Sequence, residues 1–241
     1  MPAKIGLVGL PNVGKSSLFN FLTKKDVLIA NYPFATIDPN VGIMNLVDPR
    51  LENQKVTPST IEIVDIAGLV KGAAQGSGLG NEFLSHIREV NLICQVLRCF
   101  PDQEIVHVEK SVDPIRDLEI IQLELIWADL QQIRKKLERL KVRDEKSQKE
   151  HKILQLIQEK LEKELPINQL NLTKEDKEMI KPYNFLTNKP IFLLANYSGN
   201  EEEIKELEKY AKEKQLSLLP LAIKLEKEVE NLSSEEKKEI D

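Results

Sequence analysis

The sequence predicts an α/β protein in which a mainly parallel sheet is interrupted by an inserted antiparallel hairpin of two long helices. Three observations predict it. Short apolar, β-branched runs bounded by turn residues recur along the chain. Helical patterns lie between most of them, an alternation that needs crossover connections and therefore parallel strands covered on both faces. After about Asp117 the alternation gives way to two long charged segments, each with one narrow apolar stripe.

Taken in order, the strand runs are IGLVG from Ile5, VGIMNLV from Val41, TIEIVD from Thr60, LICQVLR from Leu92, PIFLLA from Pro190 and LSLLPL from Leu216. Helical patterns cover Lys15 to Lys24, Gly80 to Val90 and Glu201 to Lys214. Only a short connection separates Val41–Val47 from Thr60–Asp65, so that pair reads as an antiparallel edge hairpin. In the long helices, Ile120, Leu123, Ile126 (or Trp127), Leu130, Ile133, Leu137 and Leu140 recur at threes and fours. Ile153, Leu154, Ile157, Leu161 and Leu165 do the same. Such stripes suit two helices zipped against each other, with the turn near Arg143–Lys149. The hairpin is a spacer or a docking arm. Thr173 with Glu175 and Asp176 signals a further short helix, and Ser233–Glu236 repeats that signal just before the chain stops. An end inside a helix suggests a fragment or a truncated gene. The organisation expected is residues 1–116 as the first part of the sheet domain, 117–165 as the hairpin and 166–241 as the return to the sheet.

Composition narrows the class. The 241 residues are 41% hydrophobic and 30% charged, the balance of a soluble globular protein. No apolar stretch approaches the ~20 residues of a membrane span, and MPAKIGLVG lacks a secretory core, so a cytoplasmic location is expected. The net charge of −5 argues against nonspecific nucleic-acid or DNA binding by the whole chain, while leaving room for a local basic face. Cys94 and Cys99 match neither a redox pair nor a zinc knuckle and read as buried thiols. His86, His107 and His151 are scattered.

The chemistry is concentrated near the N-terminus. Gly9-x-x-x-x-Gly14-Lys15-Ser16 follows a strand and opens a helix, the context that the phosphate-binding P-loop requires. Several backbone N–H groups must meet polyphosphate oxygens together, and the glycines let the loop curl to do so. Asn12, Val13, Gly14, Lys15, Ser16 and Ser17 are the expected cradle. Lys15 adds charge at the β/γ oxygens, and Ser16 is placed to ligate Mg²⁺. Asp65, at a strand end, begins D-x-x-G with Gly68. That motif supplies a carboxylate near Mg²⁺ and an N–H for the γ-phosphate. Between the two, NYPFATIDPN carries Thr36, a second Mg²⁺ ligand or a plain loop threonine.

The stretches GLPNVGKSSLFN, NYPFATIDPNVG, DPRL, TIEIVDIAGLVKGAAQGSGLGNEFLSHIRE and VLRCF together resemble the YchF/Obg-like ATPase family, among the translation-factor-related P-loop NTPases. The resemblance runs from Ile5 through Ala128–Leu130 and resumes near Tyr183–Pro190. It implies a Ras-like nucleotide domain with an inserted helical hairpin, ATP preferred over GTP, the large ribosomal subunit as partner and a C-terminal TGS domain, which this chain is expected to lack. It also implies a base-reading N-x-x-E after the fifth strand. Here that place reads Asn196-Tyr197-Ser198-Gly199, so Asn196 and the backbone at Tyr197 would meet adenine and Glu201 is a candidate substitute for the glutamate. The only Asn-Lys, Asn188-Lys189, precedes the strand and is no guanine motif. Ala222-Ile223-Lys224 partly matches the companion loop of related sequences. Without the aspartate of N-K-x-D, guanine discrimination has no carboxylate to carry it. Leu69 occupies the position where Ras-like enzymes orient water with glutamine. Gln75, in the glycine-rich run that follows, is the nearest amide. In related P-loop NTPases an asparagine placed like Asn12 helps hold K⁺ against the phosphates. The expected activity is that of a slow Mg²⁺-dependent NTPase favouring ATP, with K⁺ as a candidate stimulating ion; the alternatives are a nucleotide-gated binding module or a GTP switch.

Overall fold

The structure is a computed structural model that describes residues 3–24, 39–46, 59–68, 78–102, 104–232 and 236. Six strands form one sheet in the order β2-β3-β1-β4-β5-β6: β1 (Ala3–Val8), β2 (Asn40–Leu46), β3 (Ser59–Asp65), β4 (Leu92–Arg98), β5 (Ile191–Asn196) and β6 (Ser217–Leu221). All pairings are parallel except β2 with β3, the antiparallel edge pair. The helices are α1 (Lys15–Thr23), α2 (Gly78–Glu89), α3 (Pro114–Arg139), α4 (Glu145–Glu162), α5 (Lys174–Ile180), α6 (Lys205–Glu213) and α7 (Ile223–Glu230).

The chain forms two compact units. The first comprises Met1–Leu69, Val90–Leu118 and Ile191–Asp241 and contains the whole sheet. The central strands are buried almost throughout, as continuous apolar runs in a parallel sheet must be. Leu97, Cys99 and Leu118 share one apolar cluster with Leu193, Ala195, Ile204, Leu207 and Ala211. Cys94 and Cys99 are free, and burial pushes both thiols up to about 12, so they are inert core residues.

The described residues between β4 and α3 form no strand or helix, yet they are tightly bonded. The buried Arg98 guanidinium donates to the carbonyls of Phe100, Asp102 and Ile105 at 3.1, 2.9 and 2.9 Å. Glu109 N–H donates to His107 Nδ1, which leaves the proton on Nε2 to donate to buried Asp117 at 2.8 Å. Arg116 donates to the other Asp117 oxygen. Helix α3 begins at Pro114, earlier than the apolar period alone suggests. Asp113 accepts from Arg116 N–H, and proline suits the first helical position.

The second unit comprises Val70–Glu89 and Glu119–Pro190. Ile126, Leu130 and Ile133 of α3 meet Ile153, Leu154, Ile157 and Leu161 of α4 in one buried cluster. Ile126, not Trp127, is the inward residue; Trp127 is 44% exposed. In the first half of α3 Asp117, Leu118, Ile121, Glu124, Leu125 and Ile126 are buried, with Ile120 and Leu123 only half-buried, so the helix hides a wider face there than one stripe. The hairpin turn falls before α4 at residues 140–144, ahead of the expected Arg143–Lys149. Asp144 accepts from Ser147 N–H at 2.8 Å while Ser147 Oγ accepts from Asp144 N–H at 3.0 Å, a reciprocal box that starts the helix at Glu145. Residues 166–190, which the sequence assigns to the return into the sheet, pack in this unit, with Ile167, Ile180 and Phe185 in its core. Thr173 caps α5 as expected, with Asp176 closing the box. The second capping signal at Ser233 lies outside the described residues.

Candidate functional site

The P-loop runs from the end of β1 into α1. Asn12 and Gly14 both take the left-handed conformation, φ 62° and 105°, and Val13 lies buried between them. Alternating handedness turns successive N–H groups toward one concave side, an anion nest. Gly14 could not be another residue without strain, because a Cβ there would also lie 2.4 Å from Asn196 Nδ2. Leu18 N–H donates to Gly14 O as the first rung of α1, so the N–H groups of Lys15, Ser16 and Ser17 precede the helical ladder.

Three expected site residues converge. Ser16 Oγ donates to Asp65 Oδ2 at 2.8 Å, which joins the P-loop to the D-x-x-G segment. Lys15, 7% exposed, donates through Nζ to the carbonyls of Gly9 and Leu10. Burial lowers its pKa to about 8, with the Asp65 charge acting the other way. Burial also raises Asp65, against the influence of Lys15 and the Ser16 hydrogen bond. Gly68 lies against the P-loop, where a Cβ would meet Pro11 N at 2.9 Å. Parallel pairing of β1 with β3 sets this convergence, since Leu7 lies beside Asp65. Ligands to Mg²⁺ are hard oxygens, and one carboxylate beside a hydroxyl and a phosphate nest suits that ion. Thr36, Leu69 and Gln75 lie outside the described residues.

The base-reading residues are arranged differently from the expectation. Asn196 Nδ2 donates to Val13 O at 3.0 Å, so its amide braces the phosphate loop. Tyr197 N–H donates to Leu221 O, which removes it as a donor to a base, and the Tyr197 ring packs on the core cluster around Leu193. Gly199, at φ 102°, offers no side chain. Glu201 is exposed in a short 3₁₀ turn. Glu203 instead folds back on this loop, accepting from Ser198 N–H at 2.8 Å and Ser198 Oγ at 2.7 Å. Nothing in the sequence marks Glu203, since its role depends on the turn that intervenes. Ala222 and Ile223 are buried at the start of α7, with Lys224 exposed. Asn12 Nδ2 donates to Val106 O, a link the sequence did not suggest. Lys189, the lysine of the isolated Asn-Lys pair, donates to Arg88 O and Asn184 Oδ1 in the helical unit.

A family model described as "50S ribosome-binding GTPase" matches residues 4–197. The protein named Ribosome-binding ATPase YchF of Bacillus subtilis is 43% identical, the match covering 98% of this chain and 70% of that protein. Its namesake in Mycoplasma genitalium is 44% identical, over 96% of this chain and 68% of that protein. Among solved structures, the Schizosaccharomyces pombe YchF GTPase superposes with a TM-score of 0.78 at 36% identity, covering 98% of this chain and 70% of that one. At these identities, over nearly its full length, this chain belongs to the YchF family of P-loop proteins.

Proposed function

We propose that this protein is a slow Mg²⁺-dependent nucleoside triphosphatase that favours ATP over GTP and works in the cytoplasm on the large ribosomal subunit. The observation that carries the reading is the contact of Ser16 Oγ with Asp65 at 2.8 Å beside the buried Lys15. It brings a hydroxyl, a carboxylate and a cation to the mouth of one N–H nest, the set that triphosphate recognition needs. Ser16 and Asp65, with Thr36 as a further candidate, would hold Mg²⁺, and the ion would neutralise charge on the β- and γ-phosphates. Lys15 would do the same from the protein side, and Gly68 N–H would meet the γ-phosphate. The names of the relatives support ATP and the ribosome, and the family description supports the large subunit. The absence of a carboxylate at Gly199 removes the acceptor that guanine's N1–H and 2-amino group would need, which supports ATP over GTP, and Leu69 supports slow turnover.

A K⁺ ion near Asn12 is part of the reading. Its Nδ2 is engaged with Val106 O, and its Oδ1 is the atom that would face the cation. Hydrolysis should run faster in K⁺ than in Na⁺; equal rates remove this element. A second reading, a nucleotide-gated binding module with negligible turnover, is favoured by Leu69 and by the missing base-reading carboxylate. Phosphate release over hours from ATP and GTP, with and without ribosomes, separates the two. Release above the level of a Lys15→Ala control, stimulated by ribosomes, supports the enzyme. Tight nucleotide binding with release no faster than that control supports the module.

A further inference from the structure

Two neighbouring residues of the phosphate loop are held by partners outside it, and both partners trace to one rung of the sheet. Arg98 of β4 and Asn196 of β5 lie opposite each other in register. Asn196 grips the loop directly, its Nδ2 donating to Val13 O at 3.0 Å. Arg98 reaches the preceding loop residue by a relay. Its guanidinium donates to the carbonyls of Phe100, Asp102 and Ile105 at 3.1, 2.9 and 2.9 Å. Val106, the next residue, accepts from Asn12 Nδ2 at 3.0 Å.

Arg98 is 1% exposed and, among the described residues, forms no ion pair. Burying a cation is costly unless its donors are filled, so the group that earns its place here is the fork rather than the charge. Three carbonyls of one short segment are met by donors at fixed angles. Val106 is then fixed from both sides. Arg98 holds Ile105 O before it, while Asp117 at 2.8 Å and Glu109 N–H at 3.2 Å hold the His107 ring after it. The Val106 side chain is 74% exposed, so packing does not place its carbonyl; the bonds of its neighbours do. Asn12 stands at φ 62° inside the nest. Because only Nδ2 can donate to a carbonyl, the bond to Val106 O fixes the flip of the Asn12 amide and the direction of its Oδ1.

We propose that Arg98 is a positioning residue for nucleotide binding: by holding the segment that ends at Val106, it sets the orientation of Asn12 and the curvature of the phosphate nest. The inference rests on the reading of residues 9–17 as a nucleotide cradle. Arg98 acts through Val106 and Asn12, as Asn196 acts on Val13. Arg98→Lys keeps the positive charge and loses the fork, since one ammonium group cannot span three carbonyls.

Two measurements on the full chain test it. In the first, a nitrogen–proton correlation spectrum of protein with isotope-labelled asparagine reports the Asn12 side-chain amide. That signal is identified by its loss in Asn12→Gly, a change that suits the left-handed backbone. Arg98→Lys should move it toward the position of a solvated amide and leave the Asn196 amide in place. In the second, fluorescent-ATP titrations with Mg²⁺ form a double-mutant cycle. Arg98→Lys alone should weaken binding roughly five- to tenfold, the worth of about one hydrogen bond. In the Asn12→Gly background it should change affinity by less than about twofold, because its route to the ligand is gone. A merely structural loss at Arg98 would multiply with that of Asn12→Gly instead. Val106→Gly loosens the relay without removing a buried side chain, and it carries both measurements should Arg98→Lys not fold. The proposal is overturned if the Asn12 amide stays in place in these variants, or if the two affinity losses multiply. Failure of the unaltered protein to bind fluorescent ATP overturns the cradle reading instead, and the amide signals then decide alone whether Arg98 holds Asn12.

Discussion

The residue with most to reveal is Lys15. An ammonium group buried against carbonyls loses solvation, and its pKa falls from 10.5 to about 8. A triphosphate binds the protonated form, so below about pH 7 the lysine is ready and binding needs no proton uptake. As pH rises through about 8 the ligand-free protein gives up that proton, and affinity should fall by up to about tenfold per unit until the bound form also deprotonates. Fluorescent-ATP titrations from pH 6.5 to 9.5 check this. Lys15→Arg, whose guanidinium stays charged, should flatten whatever slope remains. Gly14→Ala tests the loop's curvature. A Cβ at φ 105° and 2.4 Å from Asn196 Nδ2 forces the nest open, and nucleotide affinity should drop at least tenfold with the far-ultraviolet spectrum unchanged. At this scale the sequence reveals Lys15, Ser16, Asp65 and Gly68 because their chemistry is local to short motifs. Glu203 and Val106 stay hidden because their contacts depend on turns that no motif specifies.

Among the elements, the β-strands were legible because a parallel strand buried on both faces is a plain apolar run. The ends of the long helices were not. The start of α3 is set by Asp113 and Pro114 and that of α4 by the Asp144–Ser147 box, short polar signals outside the apolar period. Less legible still is Asp129, fully buried in the middle of α3. It accepts from Leu186 N–H, Thr187 N–H and Thr187 Oγ1 at 2.9, 2.8 and 2.8 Å, and so caps the 3₁₀ turn Leu186–Asn188 from another helix. Burial raises its pKa, and those three bonds pull it back. Asp129→Ala would leave two buried N–H groups without an acceptor and should cost about 3 kcal/mol in urea unfolding. Ile157→Ala, which empties the centre of the hairpin core, should cost a similar ~3 kcal/mol through lost burial and a cavity.

For the molecule as a whole, a ligand that binds only the folded chain raises its melting temperature. At one hundred times Kd, ATP with Mg²⁺ should add about 2.7 kcal/mol. For a chain of this size that is roughly 5 to 10 °C in a thermal melt, and the Lys15→Ala variant should show little of it. A shift of equal size in that variant would place the nucleotide elsewhere. The order of the sheet was open at the sequence level, because apolar runs identify strands without saying which are neighbours. Only the β2–β3 edge pair followed directly from its short connection.

The bond from Asn196 to Val13 spans 183 residues. A chain growing at about 5–20 residues per second reaches Asn196 roughly 10–40 s after it has made the segment that Asn196 steadies. During synthesis the first-made motif therefore waits, unbraced, for β5 to emerge. The capacity to grip a nucleotide thus lags the synthesis of the motif itself, arriving only once the fifth strand has left the ribosome.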